Sequence, residues 1–185
     1  MNYSLKVIAL VNTLFTFATI LITPAYALFV EKIGGNVALA GMLFSISFIT
    51  GFVADLFLIR FKDRSFMDER MIKINYGIKS VCWLILVFAP SIPMLIFVQA
   101  VMGIGDAFGT PAFVTLYGDN LDKKSHLREW GIWELIKNPA VAVAAFSSGF
   151  IIDWFGFRGL FLIMSLIGFA SLFLFQKFYK KKVAS

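Results

Sequence analysis

Six long apolar stretches, joined by short polar connectors, are the feature that most limits what this 185-residue chain can fold into. A helix that crosses about 30 Å of hydrocarbon needs about 20 mostly apolar residues, because each residue adds about 1.5 Å. Backbone groups in lipid must be hydrogen-bonded within the protein, and short connectors then give a compact helical bundle. We therefore predict an all-α membrane protein, a single domain over 1–185, with transmembrane helices at about 7–29, 37–59, 74–89, 93–116, 132–152 and 159–176.

The composition excludes several classes of function. Hydrophobic residues make up 59% of the chain and charged residues 15%, against about half and a quarter in a soluble domain. The net charge of +6 comes from basic clusters between apolar runs, which is typical of a cytoplasmic membrane face and not of nucleic-acid binding. With one cysteine, Cys82, and one histidine, His126, we expect no metal site and no cofactor. We also expect no enzyme, since the sequence has no His-rich metal set, no G-x-S-x-G element and no paired carboxylates on facing helices.

The first stretch also resembles a secretory leader. Lys6 precedes an apolar run that reaches an A-x-A pattern at 25–27, as before a leader cleavage site. The run is longer than a typical leader core and continues to Phe29, and it carries regularly spaced polar residues. We therefore predict a retained helix.

The distribution of lysine and arginine predicts the orientation. Thirteen of the 17 basic residues lie in segments that would share one side of the membrane with both termini. The opposite connectors hold only Lys32 and Arg158, and Lys79 and Lys137 fall within spans. Because basic residues accumulate on the cytoplasmic side, we expect a multi-pass protein of the cell (inner or plasma) membrane with both termini in the cytoplasm.

Three of the predicted spans carry polar residues at helical spacing. Such residues are costly in hydrocarbon and face the bundle interior or a water-filled cavity. They are Asn12, Thr16, Thr19, Thr23 and Tyr26 in the first span, Gln99, Gly103, Asp106 and Thr110 in the fourth, and Glu134, Lys137 and Ser148 in the fifth. A single threonine often only bonds to backbone or to a neighbouring helix, but the combined rows predict a polar cavity.

Asp106 is the most informative of these residues, since it lies near the middle of its span. A charge at the bilayer centre costs about 2.5–3.5 kcal/mol on insertion scales, so the carboxylate is paired, protonated or exposed to water. Two interpretations stay open. Asp106 binds and releases a proton during transport, or it is a hydrogen-bond partner between helices.

Glu134 and Lys137 are three residues apart and can pair with each other. Lys137 precedes Asn138 and Pro139, and it is alternatively a cavity cation for an anionic substrate or a partner for Asp106. Glu134 is a second candidate for proton coupling. We expect Lys79 to extend toward the cytoplasmic surface, as long basic side chains often do.

Three segments resemble signatures of the major facilitator superfamily. The segment 51–55, with Gly51 and Asp55 four apart, resembles the start of its gating loop, to which Arg60 and Arg64 would contribute. The segments 99–105 and 149–161 resemble the fourth-helix signature and the junction of helices five and six. The chain departs from the family at Leu56–Ile59, which separate Asp55 from the first basic residue, and at Gln99, where the family usually has arginine.

The resemblance extends over nearly the whole chain and implies one six-helix repeat of a secondary transporter. Family members usually combine two parallel repeats, with the binding site between them, and work by alternating access. For this chain it implies a small-molecule substrate, a parallel homodimer in the lipid bilayer and an optional coupling to protons. It also implies that spans one and four line the cavity, two and five form the interface, and three and six are peripheral. Two alternatives stay open: a non-transporting subunit that docks on another six-helix chain, and a piece of a longer transporter.

Overall fold

The computed structural model describes residues 3–60, 68–88, 90–122 and 125–179, and all regular structure in these ranges is helical. The helices are α1 (Tyr3–Ile20), α2 (Tyr26–Lys32), α3 (Val37–Leu58), α4 (Asp68–Phe88), α5 (Ile92–Asp119) and α6 (His126–Phe178), with a 3₁₀ turn at Thr23–Ala25. Five helical segments of the described ranges are long and apolar enough to cross a membrane: Tyr3–Lys32, Val37–Leu58, Glu69–Phe88, Ile92–Asp119 and His126–Phe178. The prediction of an all-helical membrane protein is confirmed, whereas the six separate spans are not.

The first segment is bent where the sequence contains proline. Pro24 lies in the 3₁₀ turn between α1 and α2, and proline cannot donate the backbone hydrogen bond that an α-helix requires. Past α2, Gly34 adopts a φ of 93°, and the amide of Gly35 donates to the carbonyl of Val30 at 2.9 Å. Asn36 then caps α3, because its side-chain oxygen accepts from the amide of Leu39 at 2.8 Å.

The 53-residue helix α6 is two arms, 126–155 and 157–178, that meet at Gly156. Gly156 has φ 68° and ψ −179°, a conformation that is essentially restricted to glycine. Trp133 of the first arm shares a cavity with Tyr76, and the Tyr76 ring lies 6.2 Å from the ring of Phe175 in the second arm. A straight helix would place Trp133 and Phe175 about 63 Å apart, so the chain reverses direction at Gly156.

The core lies where α1, α4, α5 and the second arm of α6 meet. Ser165 of the second arm donates to the carbonyl of Ser80 in α4 at 2.9 Å, and a Cβ at Gly168 would lie 2.2 Å from the Ser80 hydroxyl oxygen. Small residues let helices approach closely in lipid, where apolar burial between helices gives little gain. By contrast, α3 buries only Ala40 and Leu43 and leaves most of its apolar surface exposed.

Candidate functional site

Two of the cavities that the described residues form contain charged side chains, and these two share a wall. The larger cavity has a volume of about 720 Å³ and is bordered by α1, α2, α3, α4 and α5, as well as the turn at Pro24. The smaller cavity has a volume of about 380 Å³ and is bordered by α1, α4, α5 and the first arm of α6. Five residues line both cavities and form the wall between them: Thr19, Lys79, Asp106, Thr110 and Val114.

An ion pair occupies this wall. The ammonium nitrogen of Lys79 lies 2.6 Å from a carboxylate oxygen of Asp106. The Lys79 side chain is 8% exposed and that of Asp106 is 44% exposed, so only the carboxylate has substantial access to the cavity space. Lys79 lies about halfway along α4 and Asp106 about halfway along α5, which places the charges far from the helix ends. Each charge compensates the other in surroundings where an unpaired ion is costly.

Lys79 also lies over an aromatic ring. Its ammonium nitrogen is 5.9 Å from the centre of the Phe15 ring, which stacks on Tyr76 with ring centres 4.0 Å apart. A cation near the face of an aromatic ring is stabilised electrostatically. The aromatic contact and the carboxylate together offset part of the cost of burying the ammonium group.

In the larger cavity, α2 and α5 are joined by a hydrogen bond from the side-chain amide of Gln99 to the Tyr26 hydroxyl at 2.5 Å. Both residues are buried. Thr19 and Thr23 donate to the backbone carbonyls four residues earlier, at 3.1 and 3.4 Å. The hydroxyl groups of these threonines are therefore hydrogen-bonded to backbone carbonyls of the preceding turn, while their side chains border the cavity.

Close contact between α3 and α5 forms another edge of the larger cavity. A Cβ added to Gly103 would lie 2.0 Å from the carbonyl oxygen of Ser47, and one added to Gly51 would lie 3.1 Å from the carbonyl oxygen of Gly103. The α5 backbone at Gly103 thus lies directly against the α3 backbone at Ser47 and Gly51. Gly51 and Asp55 of the proposed gating motif both border the cavity.

The smaller cavity contains a second ion pair at its edge. The Lys137 ammonium lies 2.5 Å from Glu134 and 4.2 Å from the centre of the Trp133 ring. Across the cavity, the side-chain amide of Asn12 donates to the Tyr76 hydroxyl at 3.4 Å. The cavity is therefore lined by a mixture of aromatic rings, amides and ammonium groups.

The predicted cavity residues divide between the two spaces. The larger cavity is lined by Thr19, Thr23, Tyr26, Gln99, Asp106 and Thr110, and the smaller by Asn12, Thr16, Thr19, Asp106, Thr110 and Lys137. Glu134 and Ser148, which the sequence placed on the same side as Lys137, line neither of these cavities. Arg60 is exposed just beyond α3, and Arg64 lies outside the described residues.

Two interpretations of the basic residues need correction. Lys79 does not extend to a surface, since it is buried and paired with Asp106. Lys137 pairs with Glu134 and not with Asp106, because the partner three residues away on the same helix is within reach. The third span is also not peripheral, since α4 supplies Lys79 to the wall between the cavities.

Sequence reasoning missed one polar row altogether. In α4, Asn75, Lys79 and Trp83 follow at intervals of four and all border the cavities. The spacing rule that selected the rows in the first and fourth spans would have selected this one. Within the described ranges, no group of three His, Cys, Asp or Glu side chains is arranged to hold a metal ion.

Together, the apolar helices and the cavities with charged and polar groups in their walls define a polytopic helical membrane protein with space for a small solute. The profile of the Major Facilitator Superfamily matches residues 8–184. The chain therefore belongs to this family, whose members are membrane transporters. A search of curated proteins finds no match to the chain.

Proposed function

We propose that the chain is one repeat of a secondary transporter that moves a small solute by alternating access as a parallel homodimer. The observation that supports this most directly is that two cavities meet at a charged pair halfway along α4 and α5. A charged group at this depth is usually part of a solute or ion pathway. Binding near the middle of the membrane, between two repeats, is what alternating access requires.

The proposed topology has six crossings with both termini in the cytoplasm. Each arm of α6 is long enough for one crossing, and the reversal at Gly156 would lie at the outer surface. The basic residues of the sequence favour this orientation. The same charge bias supports insertion of every copy the same way up in the cell membrane, so that two copies would be parallel.

The proposed homodimer follows from the exposed face of α3. Phe48 and Phe52 border the larger cavity and are 75% and 62% exposed, and Asp55 beside them is also exposed. Without a partner, the larger cavity, whose wall contains the charged pair of Lys79 and Asp106, would open to lipid on this side, which is unfavourable. A second copy related by a two-fold axis would cover the opening and would close a single central site between the repeats.

Proton coupling is proposed for Asp106. Protonation would remove the carboxylate charge and release Lys79, so the wall between the two cavities would lose its ion pair. Proton binding and opening of the wall would thus be linked. Glu134 is the secondary candidate, but its position outside both cavities favours Asp106.

Flux in proteoliposomes tests this function. The vesicles contain a pH-sensitive dye, and small organic anions, cations and sugars are added outside one at a time. We expect at least one solute to change the internal pH of vesicles that contain the wild type, and to leave the pH unchanged in vesicles that contain Asp106→Asn. Asp119→Asn is the matched control, because Asp119 is exposed at the end of α5. If solute flux does not depend on the pH gradient, proton coupling through Asp106 is wrong, whereas the proposed transport function is supported.

Cross-linking separates the homodimer from the alternative of a docking subunit. In a Cys82→Ala background, Phe48→Cys would form a disulfide-linked homodimer in membranes, because Phe48 lies at the exposed rim of the larger cavity. Phe173→Cys is the control, since Phe173 is 64% exposed on the second arm of α6 and borders neither cavity. A cross-link from Phe48→Cys to a different chain would favour the docking subunit.

A further inference from the structure

We propose that the larger cavity binds a monovalent organic cation with an apolar or aromatic body. The carboxylate of Asp106 would serve as its counter-ion, and the rings of Phe48 and Phe52 would contact its body. The proposal names the solute class of the proposed transporter, and it rests on that function only for the fate of the solute after binding.

The accessible charge of the larger cavity is negative. Among the described residues, its lining contains three charged side chains, those of Asp55, Lys79 and Asp106. Asp55 is exposed and the Asp106 side chain is 44% exposed, whereas the Lys79 side chain is 8% exposed. A solute in this cavity therefore meets carboxylates and has little contact with the ammonium group, which favours a cation over an anion.

Asp106 can contact Lys79 and a solute at the same time. The Lys79 ammonium lies 2.6 Å from one oxygen of the carboxylate. A carboxylate has two oxygens and about four acceptor positions, so a single ammonium group leaves part of this capacity free. Of the two charged groups in the pair, the carboxylate is therefore the one that remains available to a solute.

Aromatic rings border the same cavity. Phe48 and Phe52 are 75% and 62% exposed, and the rings of Tyr26 and Phe44 pack edge to face with their centres 4.6 Å apart. The face of an aromatic ring attracts cations, including quaternary ammonium groups that have no hydrogen-bond donor. Rings combined with a carboxylate thus favour an organic cation over an inorganic one.

The contact between α3 and α5 brings the carboxylate and the rings close in height. A Cβ at Gly103 would lie 2.0 Å from the carbonyl oxygen of Ser47, which precedes Phe48. Asp106 follows Gly103 by about 4.5 Å along α5, so it lies within about 10 Å of Phe48 and Phe52 along the bundle axis. The cavity volume of about 720 Å³ is in the range of pockets that hold drug-sized molecules.

The hydrogen-bonding groups of the cavity suit a sugar less well. The hydroxyls of Thr19, Thr23 and Thr115 donate to backbone carbonyls four residues earlier. The side-chain amide of Gln99 donates to the Tyr26 hydroxyl. A sugar must replace its many hydrogen bonds to water by bonds to the protein, and four side chains of this lining already use donors within the protein.

Binding of three matched probes tests the proposal. The protein is placed in nanodiscs of phosphatidylcholine, whose headgroups carry no net charge, and binding of radiolabelled methyltriphenylphosphonium is measured against protein-free nanodiscs. Triphenylphosphine oxide has the same three rings without the charge, and triphenylacetate has three rings and a negative charge. Each is used as an unlabelled competitor. We expect saturable binding of the cation, with each competitor at least about tenfold weaker, because only the cation gains from the carboxylate.

Variants of the ion pair separate solute binding from a structural role. Lys79→Met removes the ammonium that competes for Asp106, so the affinity for the cation should rise by about tenfold, whereas a structural role of the pair would lower it. Lys79→Met combined with Asp106→Asn leaves neither charge of the pair and should bind the cation no better than the oxide. Asp119→Asn is the matched control, since Asp119 is exposed at the end of α5 and borders neither cavity.

A ring variant tests the aromatic contact. Phe52→Leu keeps an apolar side chain and removes the ring, so it should weaken the cation about threefold more than the oxide. Loss of apolar contact alone would weaken both probes equally and would contradict the role of the ring. Phe173→Leu should bind as the wild type does, since Phe173 is 64% exposed and borders neither cavity.

Three results would overturn the proposal. They are equal affinity of the wild type for the cation and the oxide, a lower affinity for the cation in Lys79→Met, and an unchanged preference for the cation in the variant that lacks both charges.

The outcome is separable from that of the transport proposal. Saturable cation binding without flux in proteoliposomes would support the site and contradict the transporter. Proton-linked flux of anions or neutral solutes, with no binding of methyltriphenylphosphonium, would support the transporter and contradict the cation site.

Discussion

The ion pair between Lys79 and Asp106 gives an asymmetric prediction for stability. Asp106→Asn leaves the Lys79 ammonium without its counter-charge in a position where the side chain is 8% exposed. Removing one partner of a buried pair costs about 3–5 kcal/mol. Because the Asp106 side chain is 44% exposed and its surroundings are partly hydrated, we expect the lower limit, about 3 kcal/mol.

The reverse substitution should cost less. Lys79→Met keeps the length of the side chain and leaves a carboxylate that already contacts the cavity, so we expect a loss of about 1 kcal/mol. In the double variant no unpaired charge remains, and its cost should be about 2 kcal/mol below the sum of the single costs. The free energy of unfolding is measured by titration with SDS in mixed micelles, followed by tryptophan fluorescence.

The pair of Glu134 and Lys137 within one helix provides the internal comparison. Glu134→Gln combined with Lys137→Met should show a coupling of at most about 0.5 kcal/mol, because these side chains are three residues apart on one helix and partly exposed. The predicted asymmetry is wrong if Asp106→Asn costs no more than Lys79→Met, or if the coupling between those two sites is as small as that between Glu134 and Lys137.

Two further predictions concern glycines that the backbone requires. Gly156→Ala should destabilise the protein by about 1–3 kcal/mol, because φ is 68° and ψ is −179° there, whereas Gly149→Ala in the helical first arm should stabilise it by about 0.5–1 kcal/mol. Gly103→Ala should lower the free energy of unfolding by about 3 kcal/mol, because its Cβ would lie 2.0 Å from the carbonyl oxygen of Ser47. Gly41→Ala in the open part of α3 should not lower it, because nothing lies within 4 Å of the added Cβ. SDS titration measures all four, and equal effects within either pair would contradict the helix geometry described above.

The class of the fold, an all-helical membrane protein, could be predicted because hydropathy reports directly on which stretches of the chain tolerate lipid. The start of α4 could not, since the sequence analysis began the span at residue 74 and the helix begins at Asp68. This first turn is charged and gains support from a pair between Lys73 and Glu69 at 2.5 Å. Hydropathy measures the length of the apolar core and does not report where hydrogen bonding extends the helix into water.

The reversal at Gly156 was partly predictable. The sequence analysis placed a connector at this point, whereas in the structure the residues on both sides are helical and Gly156 alone departs from helical backbone angles. A single glycine can do this because it has no Cβ to clash at positive φ. Sequence patterns locate such a break, but they do not show how few residues it needs.

The partner of Asp106 was not predictable from single residues. A lysine in a span is compatible with an extended conformation toward the surface or with an internal pair, and the choice depends on which helix lies opposite. The spacing of Asn75, Lys79 and Trp83 contains the missing information, because it assigns Lys79 to an internal face. That α4 faces α5 at this height is a property of the packing of the whole bundle.

The mass of the particle in native lipid nanodiscs tests most directly whether a second copy covers the face on which the larger cavity opens. The chain has a mass of 20.7 kDa. We predict a protein mass of twice this value, since each bundle would otherwise expose a charged and hydrated side to acyl chains. A single copy, without any other protein bound, would contradict the proposed arrangement.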